Sequence, residues 1–158
     1  MSCLQKLEIM EKKNGVVETR YSNGQLMARA NYKDDNRDGM REEWYENGQP
    51  LTRATYKDDK LNGLIEVWYT DGQIWSRATY KNDKLEGLRE TWHNNGKPCL
   101  RANYKNGKLN GLCEAWYGNG QLCLRANYKN GELDGLCETW NENGKLQESV
   151  MYKDGVKQ

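Results

Sequence analysis

Phenylalanine is missing altogether from the 158 residues, histidine occurs once and proline twice. With 36% of residues hydrophobic and 30% charged, a two-layer domain around a thick aliphatic core is not expected, because such domains run richer in Leu, Ile and Val. A single histidine, His93, and no Cys-x-x-Cys pair leave no ligand set for a structural zinc ion. There is no run of about 18 apolar residues and no apolar segment after Met1, so neither a membrane-spanning helix nor a signal peptide is expected. An excess of one charge is also lacking. The formal net charge is +1, Lys and Arg alternate with Asp and Glu, and direct nucleic-acid binding is not expected. Nor is there a nucleophile motif, a carboxylate pair in contrasting surroundings, or a glycine-rich loop opening a helix. The chain is therefore read as no enzyme, with no catalytic residue, no cofactor and no metal.

What is present is a period. Glycine returns every 24 residues at Gly24, Gly48, Gly72, Gly96, Gly120 and Gly144, and again at Gly15, Gly39, Gly63, Gly87, Gly111 and Gly135. Tryptophan keeps the same step from Trp44 to Trp140, and tyrosine from Tyr32 to Tyr152. A fixed period of this size marks a repeat array, in which each unit buries its apolar groups against its neighbours. The six units begin at Gly15, Gly39, Gly63, Gly87, Gly111 and Gly135. The last loses the usual Arg-Ala to Ser149-Val150, as a C-terminal cap would. Residues 1–14 read as an N-terminal capping half-repeat, with Leu4, Leu7 and Ile9 on an edge strand.

Each unit reads strand, turn, strand, turn. In the second, Met40 to Tyr45 is a strand, Asn47-Gly48 a hairpin turn and Pro50 to Lys57 the return strand, with Asp58-Asp59 opening the next connection. Asn-Gly between β-favouring residues signals a two-residue type I′ turn, which needs positive φ at both residues. No window has helical apolar spacing. The fold expected is all-β: tandem 24-residue hairpins in one elongated, twisted antiparallel meander of about twelve strands.

A two-residue turn at Asn47-Gly48 sets Glu42 opposite Arg53, and one period on it pairs Glu66 with Arg77, Glu90 with Arg101 and Glu114 with Arg125; one period back it pairs Glu18 with Arg29. Such pairs fix register more than they stabilise, since a one-residue slip breaks all of them. The same register puts Glu42, Trp44, Leu51 and Arg53 on one face and Tyr45, Pro50, Ala54 and Tyr56 on the other. It also sets Trp68 opposite Trp75 and lays Gly63 near Ala54 and Tyr56.

The five cysteines include two pairs one period apart, Cys99 with Cys123 and Cys113 with Cys137. Duplication accounts for that spacing. Free thiols in a reducing, cytoplasmic compartment are expected, with disulfides between neighbouring strands as the alternative.

The letters carrying the pattern are Asn-Gly followed by Gln or Lys, Leu-x-Glu-x-Trp-Tyr, and Arg-Ala-x-Tyr-Lys closing near Asn-Gly-x-Leu-x-Gly. Over roughly residues 15–155 they resemble the MORN-repeat variant, in particular the YwqK-like family of toxin–antitoxin antitoxins. The resemblance implies an extended β-sheet array that binds proteins, and an antitoxin restrains its partner by direct contact. It therefore implies a non-enzymatic binder of a protein partner, a toxin or effector such as a nuclease. The alternative it implies is a scaffold on membrane lipid or the cell envelope.

Residues common to every unit serve what every unit needs, so recognition should lie where units differ. Ile65, Val67 and Tyr69 form an apolar row in the third unit with Tyr45 nearby, flanked by Arg41 and Arg89, and Trp75 is set with Trp68 on the opposite face. Trp, Tyr and Arg are the usual anchors of protein interfaces. These eight residues are the candidate partner contacts. Unpaired strands at the two ends of the sheet are a further surface, open to a partner strand or a second copy.

Overall fold

A computed structural model describes residues 12–158. It contains thirteen strands: β1 (Gly15–Arg20), β2 (Leu26–Lys33), β3 (Asn36–Trp44), β4 (Pro50–Lys57), β5 (Lys60–Trp68), β6 (Ile74–Lys81), β7 (Lys84–Trp92), β8 (Pro98–Lys105), β9 (Lys108–Trp116), β10 (Leu122–Lys129), β11 (Glu132–Trp140), β12 (Leu146–Lys153) and β13 (Val156–Lys157). They form one antiparallel sheet in strict sequence order. The expected meander of about twelve strands gains a short last one, β13, paired to the end of β12. The edge strand expected at Leu4, Leu7 and Ile9 lies outside the described residues.

The two kinds of turn exchange the roles expected of them. The connection Asp58-Asp59 contains no glycine, yet both residues have positive φ, 48° and 63°. It is the two-residue, type I′ turn, and the same holds from Asp34-Asp35 to Asp154-Gly155. Asn and Asp tolerate this left-handed conformation because their short polar side chains bond locally. At Asn47-Gly48 only the glycine is left-handed, with φ of 83°. The Gly48 amide donates to the Tyr45 carbonyl at 2.9 Å, and the Tyr45 amide donates to the Gln49 carbonyl at 2.8 Å. This is a three-residue loop, a type I turn closed by a left-handed glycine.

The longer loop moves the pairing by one residue, and a bulge at Leu51 moves it back. Trp44 faces Pro50, whereas Glu43 faces Thr52 and Glu42 faces Arg53. The five Glu–Arg pairs therefore stand as expected, although the turn that led to them does not. The Trp68–Trp75 pair does not form. Trp68 faces Ile74, and Trp75 is the bulged residue. Gly63 is the Cα partner of Tyr80 on the following strand. On its other side a Cβ at Gly63 would come within 3.1 Å of the Thr55 Cβ, so only glycine allows that approach.

Successive units are tied at their turns. The Tyr21, Tyr45, Tyr69 and Tyr117 hydroxyls each donate to the tryptophan carbonyl of the next unit at 2.7–2.9 Å. His93 holds the same contact, Nε2 to the Trp116 carbonyl at 2.9 Å. Asn23, Asn47, Asn95 and Asn119 add a side-chain amide bond to the next turn, between 2.6 and 3.3 Å. At the other sheet margin, backbone amides from Asp35 to Gly155 reach the preceding unit at 2.8–3.1 Å. Backbone and amide bonds thus do much of what a deep core does elsewhere, and the nearest-neighbour ties make the array quasi-one-dimensional.

Candidate functional site

Residues directly opposite each other on paired strands point to the same side of a sheet, so the registers sort the side chains into two faces. One face carries an unbroken row from Val17 through Ala30, Arg41, Ala54, Ile65, Ala78, Arg89, Ala102, Cys113, Ala126 and Cys137 to Val150. Its alanines are the buried core, 0–6% exposed. A parallel row two residues away runs through Glu43, Thr52, Val67, Ser76, Thr91, Leu100 and Ala115. Alanine alternates with a position that varies along the array: valine, arginine, isoleucine, arginine and then cysteine twice. A large side chain at the alanine position would collide with its neighbours, whereas the alternate position is free to vary.

The other face carries charge and tryptophan. Glu and Arg alternate across the whole sheet from Glu18 to Glu138. Within hairpins each Arg Nη2 lies 2.8–3.1 Å from its Glu. Four of these carboxylates are 13–19% exposed while their arginines are 48–56% exposed. The exposed guanidinium limits each pair to about 1 kcal/mol or less. Arg29 and Arg53 also lie over the Trp44 and Trp68 rings of the next unit, 6.0 and 5.8 Å from the centroids, a modest cation–π contact.

Seven of the eight expected contacts fall on the alanine face. Arg41, Ile65 and Arg89 lie in its first row, Val67 in its second, and Tyr45 and Tyr69 continue strands β3 and β5 on the same side. Trp75 was expected with Trp68 on the opposite face. The bulge turns it to the alanine face, where its ring packs against Tyr69 at a 6.4 Å centroid distance and 55° tilt. Trp75 remains 44% exposed. Trp68 stays on the tryptophan face, beneath Arg53. Trp75 thus joins Ile65, Val67 and Tyr69 in one apolar cluster, to which Trp68 does not belong.

The two flanking arginines differ. Arg41 Nη2 donates to Glu43 Oε1 at 2.5 Å, and the Thr52 hydroxyl donates to Glu43 Oε2 at 2.6 Å. Burial pushes the Glu43 carboxyl up, but Thr52 and Arg41 outweigh it and hold it below its ordinary value. The same contact with Glu43 holds Arg41 all the more firmly charged. Arg89 has no carboxylate within ion-pair distance among the described residues.

The four described cysteines are free. Burial raises the thiols of Cys113, Cys123 and Cys137 above their ordinary value, which makes them poor nucleophiles. Among the described residues no group of three or more His, Cys, Asp or Glu stands close enough to hold a metal.

Sequence reasoning missed one surface. Met40, Leu64, Leu88, Leu112 and Leu136 line the tryptophan face at 37–44% exposure. Each follows the glycine that opens its unit, so the signal was the period itself. Being nearly the same in every unit, this stripe does not distinguish one unit from another.

Six segments, residues 13–34, 37–58, 61–82, 85–106, 109–130 and 133–154, match a family model described as a MORN repeat variant. No curated protein matches the chain. Among solved structures the chain is similar to a mutant of S. aureus TarM in complex with Fondaparinux, alpha-GlcNAc-glycerol and UDP, at 13% identity and a TM-score of 0.38, over 76% of this chain and 21% of that one. It is similar to a second TarM structure at 14% identity and a TM-score of 0.36, over 74% and 21%. The chain spans about a fifth of the length of these proteins.

Proposed function

The chain belongs to the MORN repeat variant family, and on that premise we propose that it is a non-enzymatic binding protein that docks and restrains a protein partner through the alanine face of its middle units. The observation that carries this reading is the gathering of Ile65, Val67, Tyr69 and Trp75 on one face between two arginines. An exposed tryptophan with half-buried tyrosine and arginine around a small apolar centre forms the usual anchor set of a protein interface. The resemblance to YwqK-like antitoxins favours a toxin or effector, such as a nuclease, as the partner. The test is capture of a partner from the native host, or from co-expression with neighbouring genes, on the immobilised chain. The reading expects a partner retained at micromolar concentration and released by Trp75→Ala with Ile65→Ser. Retention of nothing from either source ends it.

A second reading, a scaffold on anionic lipid, has one observation in its favour. Lys81 faces Lys84 and Lys105 faces Lys108 across two successive turns. None of the four has a carboxylate within ion-pair distance among the described residues. Like charges set opposite each other are unfavourable, and an anionic surface relieves them. Sedimentation with phosphatidylserine vesicles at low salt tests it, and absence of binding removes it.

A further inference from the structure

We propose that the partner engages this face with an acidic segment, one carboxylate beside an apolar side chain, and that Arg89 receives the carboxylate. The inference rests on the protein-binding reading above and names the partner's chemistry. Its warrant is a comparison between two units of the same array. In the second unit the cation is neutralised from within: Arg41 is held by Glu43, whose second oxygen is held by Thr52. Two units on, Arg89 occupies the place of Arg41, but Thr91 stands for Glu43 and Leu100 for Thr52. The cation is kept while the anion and its support are gone.

Nearby acids do not substitute. Glu90 lies on the opposite face, bonded to Arg101 at 2.9 Å. Glu86 accepts the Asn106 amide at 2.9 Å. On the alanine face Arg89 is flanked by Ala78 and Ala102, both buried, with the buried Thr91 next on its own strand. A half-buried cation on a floor of small side chains is less well solvated than one in open water. An incoming carboxylate therefore gains more there than it would at an ordinary surface arginine. Trp75, exposed on the adjacent strand and on the same face, supplies the apolar half of the site. The alternate position is Ile65 in the third unit and Cys113 and Cys137 in the fifth and sixth, so Arg89 is the single unneutralised cation of this row among the described residues.

The test rebuilds the missing anion. A displayed library of random 12-residue peptides is selected on the wild-type array. The selected peptides are then measured against Arg89→Gln, Thr91→Glu, Thr91→Glu with Leu100→Thr, and Arg41→Gln. The expected peptides carry Asp or Glu within three residues of a Leu or an aromatic. They should lose about tenfold or more in affinity on Arg89→Gln and on both Thr91→Glu variants, while Arg41→Gln binds them within about threefold of wild type. Circular dichroism melts run alongside; the double variant should melt at or above wild type because it rebuilds the Arg41–Glu43–Thr52 arrangement. Peptides without an acidic residue, no selected peptide at all, or affinities indifferent to Arg89→Gln and Thr91→Glu overturn the proposal. A host partner that the Thr91→Glu array still holds at wild-type affinity also overturns it and leaves the protein-binding reading standing. Failure to retain any host partner counts against that reading itself.

Discussion

Asp71 stands where all five other units place an asparagine, and replacing it to match the four that are followed by another turn should make the array more stable. In those units the side-chain amide donates to a backbone carbonyl of the next turn at 2.6–3.3 Å. A carboxylate has no proton to donate. Asp71 instead accepts from the Gln73 amide at 2.9 Å and from Gln73 Nε2 at 3.1 Å. Asp71→Asn keeps the first of these, as Asn47 does with the Gln49 amide at 3.0 Å. It exchanges the second, an exposed contact, for a tie to the fourth unit. A net hydrogen bond contributes about 0.5–1.5 kcal/mol, and the exchange brings the expected gain to about 0.5–1 kcal/mol. For a chain of this size that is about 1–4 °C in melting temperature. Scanning calorimetry at matched concentration measures it. The mirror substitution Asn47→Asp removes the 2.9 Å bond to the Thr70 carbonyl and should lower the melting temperature by a similar amount. An Asp71→Asn chain that melts at or below wild type, or an Asn47→Asp chain that melts with it, refutes the idea that these amides tie the units together.

Three further outcomes follow from the geometry. Gly63→Ala should cost more than Gly87→Ala, because a Cβ at Gly63 meets the Thr55 Cβ at 3.1 Å with φ at +129°, while at Gly87, with φ of +84°, it meets nothing within 4 Å. The second should cost about 1 kcal/mol and the first at least about 1 kcal/mol more, read from urea midpoints. Ala102→Leu, at a position with no exposed surface, should cost about 1–3 kcal/mol through overpacking. The Glu43 carboxyl is held below its ordinary value of 4.5 by Thr52 and Arg41 against the opposing effect of burial. Its stabilisation is thus complete above that pH and is lost as pH falls through the lower folded value. The stability difference between wild type and Glu43→Gln should stay constant above about pH 5 and shrink below it, as urea midpoints across that range would show.

The strand order and the Glu–Arg registers were legible because the 24-residue period repeats each clue five or six times. Turn type was not, because Asn47-Gly48 carries a type I′ signal while the Asn47 side chain is used elsewhere. Its Oδ1 accepts from Gln49 and its Nδ2 reaches Thr70, and that second partner belongs to a different unit. Asp58-Asp59, with a weaker signal, makes the true two-residue turn. The Glu42–Arg53 register was right because the extra loop residue and the Leu51 bulge offset each other. The equivalent bulge one unit on turns Trp75 to the alanine face, which the sequence reading missed, since alternation along a strand says nothing about an inserted residue. The contrast between Arg41 and Arg89 was present in the letters Arg-x-Glu and Arg-x-Thr. Its meaning depended on the side-chain geometry, in which Glu43 is held by Arg41 and Thr52 together.

The central claim is that shared residues hold the sheet while the unit-specific residues of the alanine face select the partner. Binding of the partner captured from the native host tests it most directly, measured by calorimetry on two matched double variants. Trp75→Ala with Arg89→Gln alters the alanine face, and Leu64→Ser with Leu88→Ser alters the tryptophan face. The first pair should abolish binding with the melting temperature within about 4 °C of wild type, and the second should leave affinity within about threefold. Undiminished binding by the first pair, with loss on the second, would contradict it.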